Sequence, residues 1–326
     1  MKPLIISIII PTLDSAYILE KFFKHLNKQD YPKRKIEIIA ADGGSKDNTV
    51  AMLRMNKVKV LKNPGIFADI GVSVAMKQAK GDLMTVLAVD NFLKDKKSLS
   101  KIAAAFDNED IIAAFPKHES DNSDNFMTRY VNRFTDPFNH FVYGYAANAR
   151  SFDNVYKKIF NDNICTVYDF SSSKQKPLIA FAQGFTVRGG FLKKRKHEYD
   201  DLLPVLDIIM KRKKIAYVHS VSVYHHTIQN VGHFVRKQKW ATKNYLEKKN
   251  YGLYGREKYL SIEQKNRIKI WPFYVCSIIL PVFYALYKLV KDREILWIYH
   301  PILCYLSLYS SGTTAISHYL KKKYNG

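Results

Sequence analysis

Acidic residues follow three apolar runs in the first 95 residues of the chain. Asp14 comes shortly after "SIIIPT", Asp42 follows "IEIIAA" and Asp90 follows "DLMTVLAV". Buried parallel strands are nearly continuous apolar runs, and open α/β sheets bind ligands outside the carboxyl ends of such strands. A carboxylate there can accept hydrogen bonds from a nucleobase or a ribose, while Gly43 and Gly44 let the backbone approach a ligand. Asp and Ser also cap helices, so a purely structural role fits the same residues.

The third of these acids, Asp90, is suited to a divalent cation. Hard cations prefer carboxylate oxygens, and a cation held at a strand end can bridge a diphosphate. In "LAVDN", Ala88 offers no ligand, whereas Asn91 adds an amide oxygen. Capping of the next helix by Asp90 is the structural alternative.

Strand and helix patterns alternate over the first 100 residues, with short connections between them. The pattern predicts strands over 4–10, 35–41, 58–63 and 82–90, and helices over 16–29, from Asp47, and over 70–81. Such alternation is typical of βαβ units. We therefore expect an α/β fold with a mostly parallel central sheet.

The middle of the chain, from about 100 to 180, is rich in aromatic residues and only weakly patterned. Order returns with "LIAFAQGFTVRGGFL", an acidic helix start at "EYDDLLPVLDIIMKRKK", and a strand "IAYVHSVSVYHH". The elements that position the acids thus form two separate blocks.

Three segments, "SIIIPTLDSA", "EIIAADGGSKDNT" and "GVSVAMKQAKGDLMTVLAVDN", follow one another in the chain. Together they resemble the family 2 glycosyltransferases of the GT-A fold. The resemblance covers about residues 5–95, with a second block at about 180–245. It implies a nucleotide-sugar donor, whose base and ribose would contact Pro11, Thr12, Asp14 and Asp42. The nucleotide-sugar set that it implies also contains Gly43, Asp69, Asp90, Arg236 and Lys237. The family usually has two acids separated by one residue, and Ala88 occupies the first position here.

The second block of the resemblance implies the catalytic and metal residues. The family carries an acid pair, about eleven residues, a turn, and a strand that ends in His. That spacing places the catalytic base on Asp201, with Asp200 beside it; an inverting transfer needs one carboxylate to take the proton of the acceptor hydroxyl. His225 matches a metal ligand of some members, so the implied metal set is Asp90 and His225. Acids that complement a helix dipole and an ordinary core or surface histidine are the alternatives.

The segment "HFVRKQKWATKN" resembles a basic and aromatic segment that closes over the active site in membrane-linked members. Arg236 and Lys237 would neutralise a leaving diphosphate, and Trp240 would stack on an acceptor sugar. Processive synthases carry Gln-x-x-Arg-Trp there, whereas this chain has Arg-x-x-Lys-Trp. We therefore do not predict a polymerising enzyme.

Two C-terminal segments lack charged residues if His300 is neutral: Trp271 to Tyr287, with 17 residues, and Ile295 to Ser317, with 23. Each approaches the roughly 20 apolar residues that cross a hydrocarbon core. Their short connection predicts an antiparallel hydrophobic hairpin, with tryptophans near its ends as interfacial anchors. In-plane insertion and two core helices of a soluble domain are the alternatives.

Composition limits the possible classes of protein. A hydrophobic content of 47% argues against disorder, and three cysteines without a CxxC motif indicate no disulfide framework. A net charge of +23 is typical of proteins that bind nucleic acid, an anionic membrane or a polyanionic substrate. No zinc spacing or RNA-recognition signature supports nucleic acid, which we do not expect as a partner.

Together these features predict a GT-A domain over 1–245, with a nucleotide-binding half at about 1–100 and an acceptor half at about 101–245. A membrane-associated helical region would follow over 246–326. We expect an inverting hexosyltransferase of cell-envelope glycan biosynthesis. It would use Mn²⁺ or Mg²⁺, a UDP-, GDP- or dTDP-sugar and a lipid-linked glycan acceptor, at a membrane with the catalytic domain facing the cytoplasm. A polyprenyl-phosphate sugar synthase and an inactive nucleotide-sugar-binding scaffold are the alternatives.

Overall fold

The computed structural model describes residues 3–192, 201–247 and 256–324. Contacts divide the chain into two units. The first, which we call the sheet unit, comprises Met1–Glu119, Tyr156–Ser172 and Ala180–His225. The second, the helical unit, comprises Ser120–Val155, Ser173–Ile179 and His226–Gly326.

Within the described residues, ten strands form the sheet of the first unit. They are β1 (Ile6–Thr12), β2 (Ile36–Asp42), β3 (Lys59–Lys62), β4 (Leu83–Val86), β5 (Asn91–Leu93), β6 (Ile111–Glu119), β7 (Lys158–Asn161), β8 (Thr166–Tyr168), β9 (Phe185–Arg188) and β10 (Lys214–His225). The helices of this unit are α1 (Ala16–Asn27), α2 (Thr49–Met55), α3 (Ala68–Gln78), α4 (Ser98–Ala104), α7 (Gly189–Leu192) and α8 (Leu203–Met210).

The helical unit contains α5 (Phe126–Phe134), α6 (Pro137–Tyr143), α9 (Val231–Leu246), α10 (Ile262–Cys276), α11 (Ile279–Asp292) and α12 (His300–Tyr324). Short 3₁₀ helices occur in both units, at Lys33–Lys35, Ala105–Asp107, Gly144–Ala147, Ala149–Asn154, Glu257–Tyr259 and Ile295–Tyr299.

The sheet is mixed, and the prediction of a mostly parallel sheet is wrong. Its strand order is β3-β2-β1-β4-β9-β6-β10-β8-β7, with β5 paired to β10. The pairs among β3, β2, β1 and β4 are parallel, as the βαβ pattern predicts. Beyond β4, β9 runs antiparallel to both its neighbours, and β10 pairs antiparallel with β5 and β8. β9 and β10 follow the weakly patterned middle of the chain, so the βαβ alternation of the first 100 residues does not extend to them.

A core cluster of the sheet unit packs between the parallel strands and α1 and extends to α4, β6 and β10. Alternate residues of β1 (Ile6, Ile8 and Ile10) are fully buried and belong to one cluster with Leu19 and Phe22 of α1. The helical spacing of the apolar residues in α1 turns this face towards the sheet. Burial of both faces of β1 explains why its sequence is a continuous apolar run.

The predicted strand over 82–90 is shorter than expected. β4 ends at Val86, and the backbone N–H of Leu87 still donates to the carbonyl of Ile9, at 2.9 Å. The chain then leaves β1, and Asp90 immediately precedes β5 instead of ending β4. Asp90 therefore lies in the turn between β4 and β5.

The helical unit contains residues from the middle of the chain as well as from its C-terminal part. The predicted domain boundary after residue 245 stays a prediction. Helices α5 and α6 come from the middle of the chain, yet their apolar residues cluster with those of the C-terminal helices. Tyr130 and Phe134 of α5 pack with Trp297 and Leu303, and Phe141 of α6 packs with Trp271. The aromatic residues of the middle region are thus core residues of this unit.

The two predicted apolar segments are not two straight helices. The first is divided between α10 and α11, which are bent by 99° at the break, and the second begins in a 3₁₀ turn before α12. Among the described residues, no single helix combines the length and hydropathy of a membrane span; α10 and α11 do so only when taken together.

Candidate active site

The tips of β1 and β2 lie side by side, as the sequence predicts. Thr12 and Asp42 are register partners in the parallel pair, and Pro11 is opposite Ala41. The backbone N–H of Gly43 donates to the carbonyl of Thr12, at 2.9 Å, and so continues the pairing past the strand ends. The two predicted nucleotide-binding motifs therefore meet at one edge of the sheet.

The carboxylate of Asp42 organises the turn that follows β2. Its Oδ2 accepts the backbone N–H groups of Gly44 and Ser45, both at 3.0 Å, and its Oδ1 accepts the Ser45 hydroxyl. Gly44 has a φ of +97°, a conformation that glycine adopts without steric strain. Asp42 is only 8% exposed, so these donors offset the loss of hydration of its charge.

Asp14 is tied to the same turn through Ser45. The backbone N–H of Asp14 donates to Ser45 Oγ at 2.9 Å, and Asp14 Oδ1 accepts the N–H of Lys46 at 2.8 Å. Ser45 thus connects the two acids that the sequence places on separate strands. Asp14 and Asp42 are brought together in one loop cluster of the sheet unit.

The side-chain hydroxyl of Thr12 is a further polar group at this edge of the sheet. The sequence predicted Thr12 as part of a motif but gave this hydroxyl no separate role. Its side chain is 6% exposed, and its Oγ1 has no hydrogen-bond partner among the described residues. Buried hydroxyl groups in proteins are normally paired. An unpaired hydroxyl beside Asp42 therefore points to a polar ligand at this edge of the sheet.

Asp69 lies in the first turn of α3, which follows β3. The backbone N–H of Asn63 donates to the Asp42 carbonyl at 2.7 Å, and the Asn63 side-chain amide donates to the carbonyl of Phe67 at 2.9 Å. These bonds place the start of α3 next to the end of β2. Asp69 is thus positioned at the same edge as Asp42.

Asp90 and His225, the predicted metal pair, are linked through Asn91. Asn91 is directly opposite His225 in the antiparallel pair of β5 and β10, so the two side chains project on the same face. The Asn91 Nδ2 group donates to Asp90 Oδ1 at 2.6 Å, and because a carboxylate only accepts, this contact identifies the other amide atom as Oδ1. Asn91 is 1% exposed, and its Oδ1 has no partner within the described part of the chain.

Asp90 also lies near the start of α1. Partial burial of the phenol, and then the negative charge of Asp90, raise the pKa of Tyr17. Tyr17 follows Asp14 by three residues, so Asp90 is close to the β1 tip as well as to His225.

Gln183, which the sequence did not identify, joins His225 to a second histidine. Its Nε2 lies 3.1 Å from His225 Nε2, and its carbonyl oxygen lies 3.3 Å from His118 Nε2. Gln183 has a φ of +57°, uncommon for a residue with a side chain, and Gly184 follows with a φ of +90°. The dipeptide "QG" could have indicated this strained segment in the sequence, since strained backbone often carries residues that approach a ligand.

Asp201 is connected to the same segment. Its carbonyl accepts the backbone N–H of Phe181, two residues before Gln183, and it immediately precedes the residues that begin α8. The backbone of Asp201 is therefore tied to the segment that contains Gln183, and its role as the base stays a prediction. Its partner in the prediction, Asp200, lies outside the described residues.

Arg236, Lys237 and Trp240 lie on α9 of the helical unit. Lys237 Nζ donates to the hydroxyl of the buried Thr227 at 2.8 Å, while the Trp240 side chain is 48% exposed. The proximity of these residues to the strand tips stays a prediction.

The helical unit contains a candidate metal-ligand group that the sequence did not predict. Atoms of Asp121, Asp124 and His226 that could each ligate an ion lie within 4.8 Å of one another. His226 Nδ1 is 2.6 Å from Asp124 Oδ1, and its Nε2 is 3.4 Å from Asp121 Oδ2. The adjacent histidines at the end of β10 could have indicated a metal site in the sequence. The two acids are about 100 residues away in the chain, so the sequence does not show that they meet His226.

Comparison with known proteins places the chain in a family. The family model described as "Glycosyl transferase family 2" matches residues 7–174, about half of the chain. The chain belongs to glycosyl transferase family 2. The predicted family and the prediction of a transferase are confirmed at this level.

Two curated relatives share part of this region. The poly(ribitol-phosphate) beta-N-acetylglucosaminyltransferase TarS of Staphylococcus aureus is 31% identical over 109 residues, which are 32% of this chain and 19% of TarS. Glycosyltransferase GlyG of Streptococcus pneumoniae is 34% identical over 101 residues, 28% of this chain and 32% of GlyG. The chain thus matches at most about a third of the length of these relatives.

Solved structures share the fold of this family member. The mannosyltransferase PcManGT of Pyrobaculum calidifontis, in complex with GDP-Man and Mn²⁺, has a TM-score of 0.57 at 12% identity, over 96% of this chain and 87% of that one. S. aureus TarS 1-349 in complex with UDP-GlcNAc has a TM-score of 0.50 at 17% identity, over 97% and 91%. The predicted GT-A-like α/β fold is confirmed, whereas the individual site residues stay predictions.

Proposed function

We propose that this protein transfers a sugar, with inversion, from a nucleoside-diphosphate sugar to a hydroxyl of a lipid-linked glycan at the cytoplasmic face of a membrane. Family membership supports sugar transfer in general. The acceptor, the inversion and the membrane are our own extension of that activity.

The unpaired Thr12 hydroxyl beside Asp42 carries the proposal of a nucleotide donor. A hydroxyl and a carboxylate at neighbouring strand tips can together bind the polar edge of a base and the hydroxyls of a ribose. Relatives of similar fold were solved with UDP-GlcNAc and GDP-Man, which favours a nucleotide sugar. Binding of the base and ribose at this edge would direct the diphosphate towards Asp90.

The residues around Asp90 fit a divalent cation despite Ala88. Asp90 offers a carboxylate, His225 an imidazole, and Asn91 an unpaired, buried amide oxygen on the same face. Oxygen donors of this kind suit Mg²⁺ or Mn²⁺. Such a cation would neutralise the charge that develops on the leaving diphosphate. We propose that Asn91 takes the place of the acid that the family usually carries at the position of Ala88.

Asp201 is the proposed general base. As the acceptor oxygen forms its bond to the anomeric carbon, the bond from that carbon to the diphosphate oxygen breaks. The hydroxyl proton passes to the Asp201 carboxylate, and the nucleoside diphosphate leaves with the electron pair. Attack from the face opposite the leaving group inverts the anomeric centre. The proposal assigns diphosphate neutralisation to Arg236 and Lys237 and acceptor stacking to Trp240.

A thermal-shift screen tests the donor. Melting temperature is measured with UDP-, GDP- and dTDP-sugars, each with Mg²⁺, with Mn²⁺ and with a chelator, because a ligand that prefers the native state raises it. We expect one nucleotide class to stabilise the wild type, and Thr12→Val to lose most of that effect. Stabilisation by no nucleotide sugar under any condition would contradict the proposal.

Asp201→Asn tests the base with the donor identified by that screen. We expect turnover to fall at least 100-fold while donor binding is retained, because the amide cannot accept the proton. Asp207→Asn, six residues further along and within α8, is the matched control. Full activity of Asp201→Asn would instead favour a polyprenyl-phosphate acceptor, whose phosphate oxygen attacks without needing a base.

A further inference from the structure

The geometry of α10 and α11 points to an element that enters lipid: we propose that residues 270–287, which we call the elbow, insert about 10 Å into one anionic leaflet. The proposal deepens the membrane part of the proposed function by naming the inserting element and its depth. It does not depend on any donor or catalytic residue.

The elbow is a defined bend in the helical unit. α10 ends at Cys276, α11 begins at Ile279, and the two helices are bent by 99°. Ser277 holds the break from both sides, because its hydroxyl donates to the Tyr274 carbonyl at 2.7 Å and accepts the Leu280 N–H at 3.2 Å. Local partners thus satisfy backbone groups at the bend, as burial in lipid requires.

The outer surface of the elbow is apolar and exposed. Phe273 is 76% exposed, Phe283 is 67% exposed and Ile278, at the apex, is 67% exposed. Large side chains with similar exposure continue along both arms: Ile270, Ile279, Leu280, Leu286 and Tyr287. A contiguous apolar surface of this size is typical of an interaction site, because soluble surfaces rarely expose such clusters.

Charge identifies lipid as the occupant. No charged residue occurs within the elbow, whereas the exposed Lys265 and Lys269 precede it and the exposed Lys291 and Arg293 follow it. Over 262–324 there are nine Lys and Arg against three Asp and Glu. Cations at both ends of an apolar element match an anionic headgroup layer above a hydrocarbon layer, and each nearby cation strengthens that attraction. A second copy of the chain would bring the same cations together and is disfavoured by their repulsion.

The helix lengths set the depth. The uncharged parts of the arms contain seven residues in α10 and nine in α11, about 10 Å and 14 Å at 1.5 Å per residue. With both arms equally tilted at this bend, the apex lies about 8 to 10 Å below the outer ends of these uncharged parts. Interfacial helices bury themselves by about 5 to 10 Å, whereas a hydrocarbon core is about 30 Å thick. The elbow therefore reaches into one leaflet.

The chain contains a natural probe of this depth. Cys276 is exposed at the elbow, whereas Cys165 and Cys304 are buried. The native thiol can be labelled with an environment-sensitive maleimide dye, and the full-length protein mixed with phosphatidylcholine vesicles with or without phosphatidylserine. We expect the dye emission to brighten and shift to the blue with the anionic vesicles. A lipid quencher near the headgroups should act more strongly than one near the bilayer centre.

Point variants provide a second measurement. Phe273→Ser and Phe283→Ser should each lower partition into anionic vesicles by about 10- to 100-fold, as expected for loss of one buried aromatic ring. Met55→Ser, which removes an 81% exposed apolar residue of the sheet unit, is the matched control and should bind as the wild type does.

Three results would overturn the proposal. In the first, the protein binds vesicles but the dye keeps the emission that it has in water. In the second, the quencher near the bilayer centre acts more strongly than the one near the headgroups. In the third, the dye brightens without lipid, and the brightening rises with protein concentration. The last would assign the surface to a second copy of the chain. Because no sugar donor is present, failure here leaves the transferase proposal intact, and failure of that proposal leaves this one intact.

Discussion

The buried His300 and the partly buried His140 should make the helical unit sensitive to acid. His300 is 1% exposed, and its Nδ1 contacts the Tyr130 hydroxyl while its Nε2 lies 3.2 Å from the Tyr274 hydroxyl. His140 Nε2 lies 2.9 Å from the Tyr284 hydroxyl. Burial lowers the pKa of His300 to about 3 and that of His140 to about 4, so both are neutral in the folded protein at pH 7.

The sign and size of the effect follow from these pKa values. An unfolded histidine has a pKa of about 6.5, so the unfolded chain binds more protons than the folded one whenever the pH is below that value. The stabilisation is complete above pH 6.5 and is lost as the pH falls towards the folded pKa. At pH 5 the difference is about 1.5 pH units, or about 2 kcal/mol for each histidine. Native stabilities are about 5 to 15 kcal/mol, so the loss is measurable.

Tryptophan fluorescence reports on this unit alone, because Trp240, Trp271 and Trp297 all belong to it. Trp297 is also a direct neighbour of the cluster, with its ring centroid 5.1 Å from that of His140. Urea unfolding followed by fluorescence at pH 8 and pH 5 gives the two stabilities. We expect the midpoint to fall by about 1 to 2 M urea between them.

His140→Gln isolates one contribution. The glutamine amide can reach the Tyr284 hydroxyl but does not titrate, so the difference between pH 8 and pH 5 should shrink by about 2 kcal/mol. The matched control is His318→Gln, which removes a histidine of the same unit outside the cluster and should keep the wild-type difference. An unchanged difference in His140→Gln would refute the reasoning.

Three further predictions concern the sheet unit. In a thermal-shift measurement without donor, Asn91→Leu should abolish stabilisation by Mn²⁺, because the leucine lacks an oxygen ligand, while Asn91→Asp should retain it. Equal responses of the two variants would exclude Asn91 as a ligand. Gly184→Ala should lower stability by about 1 to 3 kcal/mol by circular dichroism, since its φ is +90° and a Cβ would lie 2.8 Å from Pro116 Cγ. Gly190→Ala, with no heavy atom within 4 Å of the added Cβ, should change little. Ser45→Ala should weaken donor binding about 2- to 10-fold in titration calorimetry, because Ser45 connects Asp14 to Asp42; unaltered affinity would show that this link does not organise the site.

The local pattern was enough to predict the parallel half of the sheet and the meeting of its two acidic tips. β1 and β2 are apolar runs joined by an amphipathic helix, and a right-handed crossover places them side by side in parallel. Thr12 and Asp42 therefore become register partners without any information from the rest of the chain. The resemblance to the family added the second block, at about 180–245, and with it the predicted roles of Asp201 and His225.

Tertiary structure decided the directions of the later strands, the break at Ser277 and the grouping of α5 and α6 with the C-terminal helices. It also decided the contacts of Gln183 with His118 and His225, and the meeting of Asp121 and Asp124 with His226. Apart from the break at Ser277, whose partners are local, the partners are many residues apart, and their pairing depends on which apolar faces can be buried together. Residue spacing encodes the period of a helix or strand, but only packing of the whole chain selects which faces meet.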